Sequence, residues 1–172
     1  VEASASPDRA LPYADRLGAQ MPGAGHIVHM PAHVYYRVGM YRESLAVNRR
    51  AIAVDEAYFH TSPSDPLYRS AYYPHNIHFV MVSAQAGGDG RTSLEAATKL
   101  DPSLPDDVVR AFAILQPVKA APYATHAQFS DPDTVLALPA PPDGLALVRT
   151  MYHYARAVAY AAKKDATNAE RE

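Results

Sequence analysis

The sequence predicts an all-α protein built from antiparallel helix pairs, and three observations predict it. Histidines recur at helical spacing: His26, His29 and His33 stand at i, i+3 and i+7, and His75 and His78 repeat the first interval. At roughly 100° per residue the first three fall within about 60° of one another on one helical face. Gly39 closes one periodic segment just before Tyr41 opens the next, which sets small or apolar residues at Ser44, Leu45, Ala51, Ile52 and Val54. The same punctuation returns 49 residues later, with Gly88 in the place of Gly39 and Ser93 and Leu94 in those of Ser44 and Leu45.

Taken in order, the opening VEASASPDRALPYADRL reads as the tail of one helix running into another, so the chain is expected to be the C-terminal part of a longer one. A first unit spans 1–24, with Ala10 at a small-residue place and Pro22 at its end. A second spans 25–58 and holds His26, His29 and His33. Pro31 falls inside its first helix, lacks an amide proton and clashes with the carbonyl of Ile27. It either kinks that helix or starts a shorter one after a turn that carries His26 and His29. Segment 59–73, FHTSPSDPLYRSAYY, is an insertion of about 15 residues that acts as a surface connection or, through His60 and Arg69, as a lid. The next unit, 74–107, begins at Pro74, so His75 and His78 take the two places that His26 and His29 hold. A degenerate unit at 116–140, with Pro122 where Pro31 stands, and a last helix pair at 150–172 have no histidines at those places.

The segment RVGMYRESLAVNRRAIAVDEAY resembles the second half of a tetratricopeptide repeat, a helix-turn-helix unit of about 34 residues. In finer detail, GHxxHMPxHxYxRxGxY followed by YPHNxHF resembles a group of bacterial tetratricopeptide proteins that share these histidines. The tryptophan common in the first helix of such repeats is missing. The resemblance implies one right-handed α-solenoid of stacked antiparallel helix pairs over 1–172, with a concave groove that binds ligands. It implies that His26, His29, His33 and Tyr36 face the groove from one unit, and His75, His78, Val82 and Gln85 from the next. Counted back one unit, Glu2 borders the same histidines.

Imidazoles projecting from two adjacent helices can converge on one ion, because such helices pack about 8–10 Å apart. His26, His29, His33, His75 and His78 are the expected metal ligands, with Glu2, Tyr36 and Gln85 beside them. A set rich in imidazole suits copper, zinc or iron and disfavours calcium and magnesium, which take oxygen ligands. The competing reading is a polar groove whose histidines hydrogen-bond a peptide with no ion present. Taken singly, each histidine reads as an ordinary helix residue; the set carries the metal. His126 and His153 are expected to be packed helix residues rather than ligands.

The other classes find less support. With no cysteine there are no disulfides, thiolate ligands or thiol nucleophiles. The net charge of −2 and the scattered basic residues mark no nucleic-acid surface, and no apolar run reaches the length of a membrane span. HExxH, GxSxG, a Walker loop and a dinucleotide fingerprint are absent, and Gly87, Gly88 and Gly90 fit a turn between helices. The compartment stays open. The first expectation is a binding protein with a transition-metal site in its groove, where a peptide, a protein or a small molecule is held, or where the missing N-terminal part of another copy associates. The alternatives are a metal-dependent enzyme, hydrolytic or oxidative, with Tyr36 or Glu2 moving protons, and a metal-free peptide scaffold.

Overall fold

The computed structural model describes residues 2–62 and 66–172, which are helical apart from short turns and contain no strand. The chain divides into two compact units, one up to Ala96 and one from Ala97 onward. No helix among the described residues is long and apolar enough to cross a membrane.

The first unit opens with turns over residues 2–5 rather than the end of a helix. Pro7 is the physical reason, since it drives the preceding Ser6 out of helical geometry to φ −132° and ψ 63°. A 3-10 turn (Pro7–Ala10) leads into α1 (Leu11–Gln20). Next come α2 (Gly25–His29) and α3 (Pro31–Arg37), two short helices separated at Met30. Pro31 sits at the first position of α3, where its missing amide costs nothing. The histidine-bearing segment is therefore two helices in tandem rather than one bent helix.

Helix α4 (Tyr41–Thr61) is the central element of this unit and packs against α2, α3 and α5 (Tyr73–Ala86). Its buried stripe is Ser44, Asn48, Ala51, Ile52 and Asp55, so three of the five inward residues are polar. Each has a partner. Ser44 Oγ lies 3.4 Å from the carbonyl of Ala32 and 2.7 Å from Ser83 Oγ, and Asn48 Nδ2 donates to the carbonyl of Ser44 at 2.7 Å. Asp55 accepts from Asn76 Nδ2 at 2.8 Å. Leu45 and Val54, on the same helix, are half-buried. Residues 59–61 of the expected insertion continue α4, and Tyr68–Tyr72 form a π-helical turn that runs directly into α5. Residues 63–65 lie outside the described residues.

The repeat seen in the sequence has a structural counterpart. Gly39 and Gly88 both adopt positive φ, +82° and +78°, and each ends its helix with the same bond pair. Gly39 N donates to Tyr36 O and Met40 N to Tyr35 O; Gly88 N donates to Gln85 O and Asp89 N to Ala84 O. This is the Schellman cap, which favours glycine because the left-handed backbone crowds a β-carbon. Ser93, near the start of α6 (Gly90–Ser103), donates from Oγ to Met81 O, as Ser44 does to Ala32 O.

The second unit contains α7 (Asp106–Ala111), a 3-10 turn (Ala113–Leu115), α8 (Gln116–Phe129), α9 (Pro132–Leu136), α10 (Ala146–Ala162) and α11 (Ala166–Arg171). Helix α10 packs against α8, α9 and α11, and Val135, Ala155 and Ala159 form a core with Tyr123, Ala127, Leu136 and Leu138 around it. Helix α8 runs through Pro122 without a break. The turn after α10 repeats the Schellman bonds, Lys164 N to Ala161 O and Asp165 N to Tyr160 O, but a lysine holds the left-handed position at φ +61°.

Candidate metal centre

Three histidines from the first unit bring one ring nitrogen each within 4.8 Å of one another: His29 at the end of α2, His33 in α3 and His75 in α5. The Nε2 atoms converge. His29 Nε2 lies 2.9 Å from His33 Nε2, which lies 3.4 Å from His75 Nε2. His29 and His33 are one turn apart across the break at Met30, and α4 holds α2, α3 and α5 together. Phe79, one turn after His75, packs its ring 4.6–4.9 Å from all three imidazoles. The cluster thus has an apolar aromatic wall.

The other ring nitrogens fix the protons. His29 Nδ1 lies 2.6 Å from Asn48 Oδ1, and the Asn48 amide is oriented by its own donation to Ser44 O. An amide oxygen only accepts, so His29 Nδ1 carries the proton and Nε2 presents a lone pair. His33 Nδ1 lies 2.9 Å from Glu2 Oε1, a carboxylate oxygen that also accepts, so neutral His33 likewise presents its lone pair at Nε2. With both rings neutral, two lone pairs face each other at 2.9 Å, which is repulsive unless a positive charge lies between them: a metal ion, or a second proton on His33 beside the Glu2 carboxylate.

Burial favours the neutral form of His29 and His75. His29 is fully buried, and desolvation, opposed by its Asn48 bond and reinforced by neighbouring histidines, takes its pKa from 6.5 down to about 3. Desolvation and the nearby His33 and His78 take His75 down to about 4. Neutral imidazoles are the metal-binding form.

The remaining expected residues divide. Glu2 does border the histidines, through His33, and the backbone carbonyl of Glu2 accepts from Arg37 Nε at 3.3 Å. His26 stacks on His29 at 5.8 Å and meets Tyr72 edge-on at 4.6 Å, yet lies outside the converging group, with a buried Nδ1 that has no partner among the described residues. His78 also stays outside the group, and burial takes it down to about 4. Tyr36 packs against Tyr41 and Phe79, at 5.4 and 6.0 Å, rather than against the imidazoles, and burial raises its pKa. Gln85 is half-buried near the end of α5, where its carbonyl accepts in the helix cap.

Neither residue assigned to a lid touches the cluster in a described contact. His60 is exposed in the last turn of α4, and the Arg69 guanidinium lies 4.0 Å over the Phe59 ring. Their segment is nevertheless tied to the site by Tyr68. Its hydroxyl accepts from the backbone amide of His26 at 3.2 Å and donates to buried Asp55 at 2.7 Å. In the second unit, His126 pairs with Ser130 at 2.9 Å and is held neutral by burial. His153, expected to be a packed helix residue, is 43% exposed at its side chain and paired with Glu172, because this turn of α10 faces the carboxylate rather than the apolar core.

Sequence reasoning missed Asn48, Asp55, Phe79 and Tyr68. The polar residues at i, i+4 and i+11 of α4, Ser44, Asn48 and Asp55, were the available signal, since a buried polar stripe exists only where partners meet it. The chain matches no family model, no curated protein and no solved structure.

Proposed function

We propose that the protein binds one divalent transition-metal ion through Nε2 of His29, His33 and His75, within a tetratricopeptide-like solenoid whose groove presents the ion. The observation that carries this reading is the convergence of three imidazole nitrogens, with Asn48 and Glu2 holding the outer nitrogens of His29 and His33. A proton joins only two nitrogens; a cation joins three. Metal–nitrogen bonds of about 2.0–2.1 Å put neighbouring ligands roughly 2.9 Å apart in octahedral and 3.4 Å apart in tetrahedral geometry. The two Nε2 spacings, 2.9 and 3.4 Å, lie within the range that ligands of one ion span. Glu2 and Asn48 then take the part of the outer acceptors that orient histidine ligands and raise their basicity.

Zinc, copper(II) and iron(II) all accept three imidazoles, and the donor set excludes calcium and magnesium as preferred ions. Three protein ligands rather than four support a site with a free coordination position, as in metal sites that activate water or bind a further ligand. A metal-dependent hydrolytic or oxidative reaction is therefore the second reading. A metal-free peptide groove, with a proton shared between His29 and His33, is the third.

Calorimetric titration of tag-free protein with zinc and copper, joined to elemental analysis, tests the reading. The expected result is one ion per chain with release of bound ion by a chelator. Absence of stoichiometric binding by every transition ion tried defeats it.

A further inference from the structure

We infer that the second unit carries a separate binding site for a small organic ammonium ion, an amine on a compact apolar body, in the cavity between α8, α10 and the connection over residues 138–142. The cavity measures about 390 Å³, within the range that encloses a small molecule. Its walls are largely preformed. Pro122, Pro139, Pro141 and Pro142 line it with Leu145 and Val148, and proline rings and fully buried aliphatic side chains give up little freedom when a ligand arrives.

One end of the cavity sets the sign of the ligand. Lys119 Nζ has three protons and meets four oxygens: Asp101 O at 3.1 Å, Leu104 O at 3.0 Å, Asp101 Oδ1 at 2.7 Å and Asp106 Oδ1 at 3.3 Å. Its side chain is only 10% exposed. This ammonium is saturated and offers nothing to an incoming anion. Two carboxylates against one lysine leave one negative charge, and Asp101 and Asp106 are 69% and 39% exposed, within reach of a cation.

Tyr123 lines the cavity and offers an aromatic ring that attracts a cation, while its hydroxyl, which both donates and accepts, does not choose between ligands. Burial and the nearby Asp101 raise its pKa to about 12, which keeps it a neutral phenol. His126, on the same wall, is neutral by burial and adds no competing positive charge. An apolar slot, one net negative charge and an aromatic ring select an ammonium over a carboxylate or an alcohol of the same shape.

The test uses the full chain, isotope-labelled, titrated with phenethylammonium, phenethyl alcohol and 3-phenylpropionate while the signals of Tyr123, Leu145 and Val148 are followed by nuclear magnetic resonance. Saturable shifts are expected with the ammonium, with the alcohol about five-fold weaker and the carboxylate weaker still. Asp101→Asn, a change at an exposed position, should abolish the preference for amine over alcohol. Ala140→Trp, at the exposed mouth, should block all three ligands while circular dichroism stays that of the wild type. Lack of saturable shifts, equal affinity for amine and carboxylate, or an Asp101→Asn variant that keeps the preference overturns the assignment. Should Ala140→Trp lose its fold, the Asp101→Asn comparison decides alone.

Discussion

A β-carbon placed on Gly25 would lie 1.8 Å from Oδ1 of Asp55. The first residue of α2 and a carboxylate in the middle of α4 are therefore in contact that only glycine permits. Asp55, 1% exposed, accepts from Tyr68 at 2.7 Å and from Asn76 at 2.8 Å, so it fastens α5 and the π-helical turn to the start of the histidine helix. Burial raises its pKa, opposed by these two bonds.

Gly25→Ala is expected to destabilise the protein by about 2–3 kcal/mol, since helix and carboxylate cannot both keep their places. Urea unfolding measures this. A variant as stable as the wild type would show that the contact relaxes freely.

Replacement of His29, His33 or His75 by alanine should remove a ligand and lower metal affinity steeply, while His78→Ala, His126→Ala and His153→Ala leave the stoichiometry unchanged. Titration calorimetry on the six variants reads this directly. Retained affinity in the His29 and His75 variants, or loss in His78→Ala, moves the site elsewhere.

Asn48→Leu keeps the size of the side chain but removes the acceptor that holds His29 in its tautomer. Metal affinity should fall roughly 10–100-fold with the stoichiometry intact, the usual effect of losing an outer acceptor. Glu2→Gln, on the exposed side of the site, should weaken binding by less. An Asn48 variant with unchanged affinity would remove the tautomer argument while leaving the ligands in question.

Acid should loosen the metal-free protein. Unfolded histidine titrates near 6.5, whereas burial holds folded His29 at about 3 and His75 and His78 at about 4. Between those values the unfolded chain binds more protons than the folded one, so stability falls as pH drops below 6.5 and is retained above it. The slope is at most about 1.4 kcal/mol per pH unit for each group. Denaturant midpoints from about pH 7 to pH 5 check the sign; a flat profile contradicts the burial.

Lys164 holds the left-handed cap position that glycine holds at Gly39 and Gly88. Lys164→Gly should stabilise the protein by about 0.5–1 kcal/mol, and Gly39→Ala should cost about 1 kcal/mol, because the strain of a β-carbon at positive φ outweighs the extra freedom of glycine in the unfolded chain. Thermal unfolding distinguishes the two directions.

The sequence by itself determined the helices, their glycine-capped turns and the two-fold occurrence of the Gly–Ser–Leu pattern. Those follow from local geometry: a left-handed cap needs glycine, and helical periodicity shows in the spacing of neighbouring residues. Counting back one repeat also set Glu2 beside His33, and the two do meet, although Glu2 arrives on a turn rather than a helix. Tertiary structure decided which histidines meet. His29 and His78 hold equivalent repeat places, yet only His29 converges with His33 and His75. Its imidazole is aimed by Asn48, and the corresponding place 49 residues on is Ala97, which has no acceptor to offer. Equivalent places fix where a side chain starts; the partner across the helix pair fixes where its lone pair points, and that partner is specified by packing rather than by spacing.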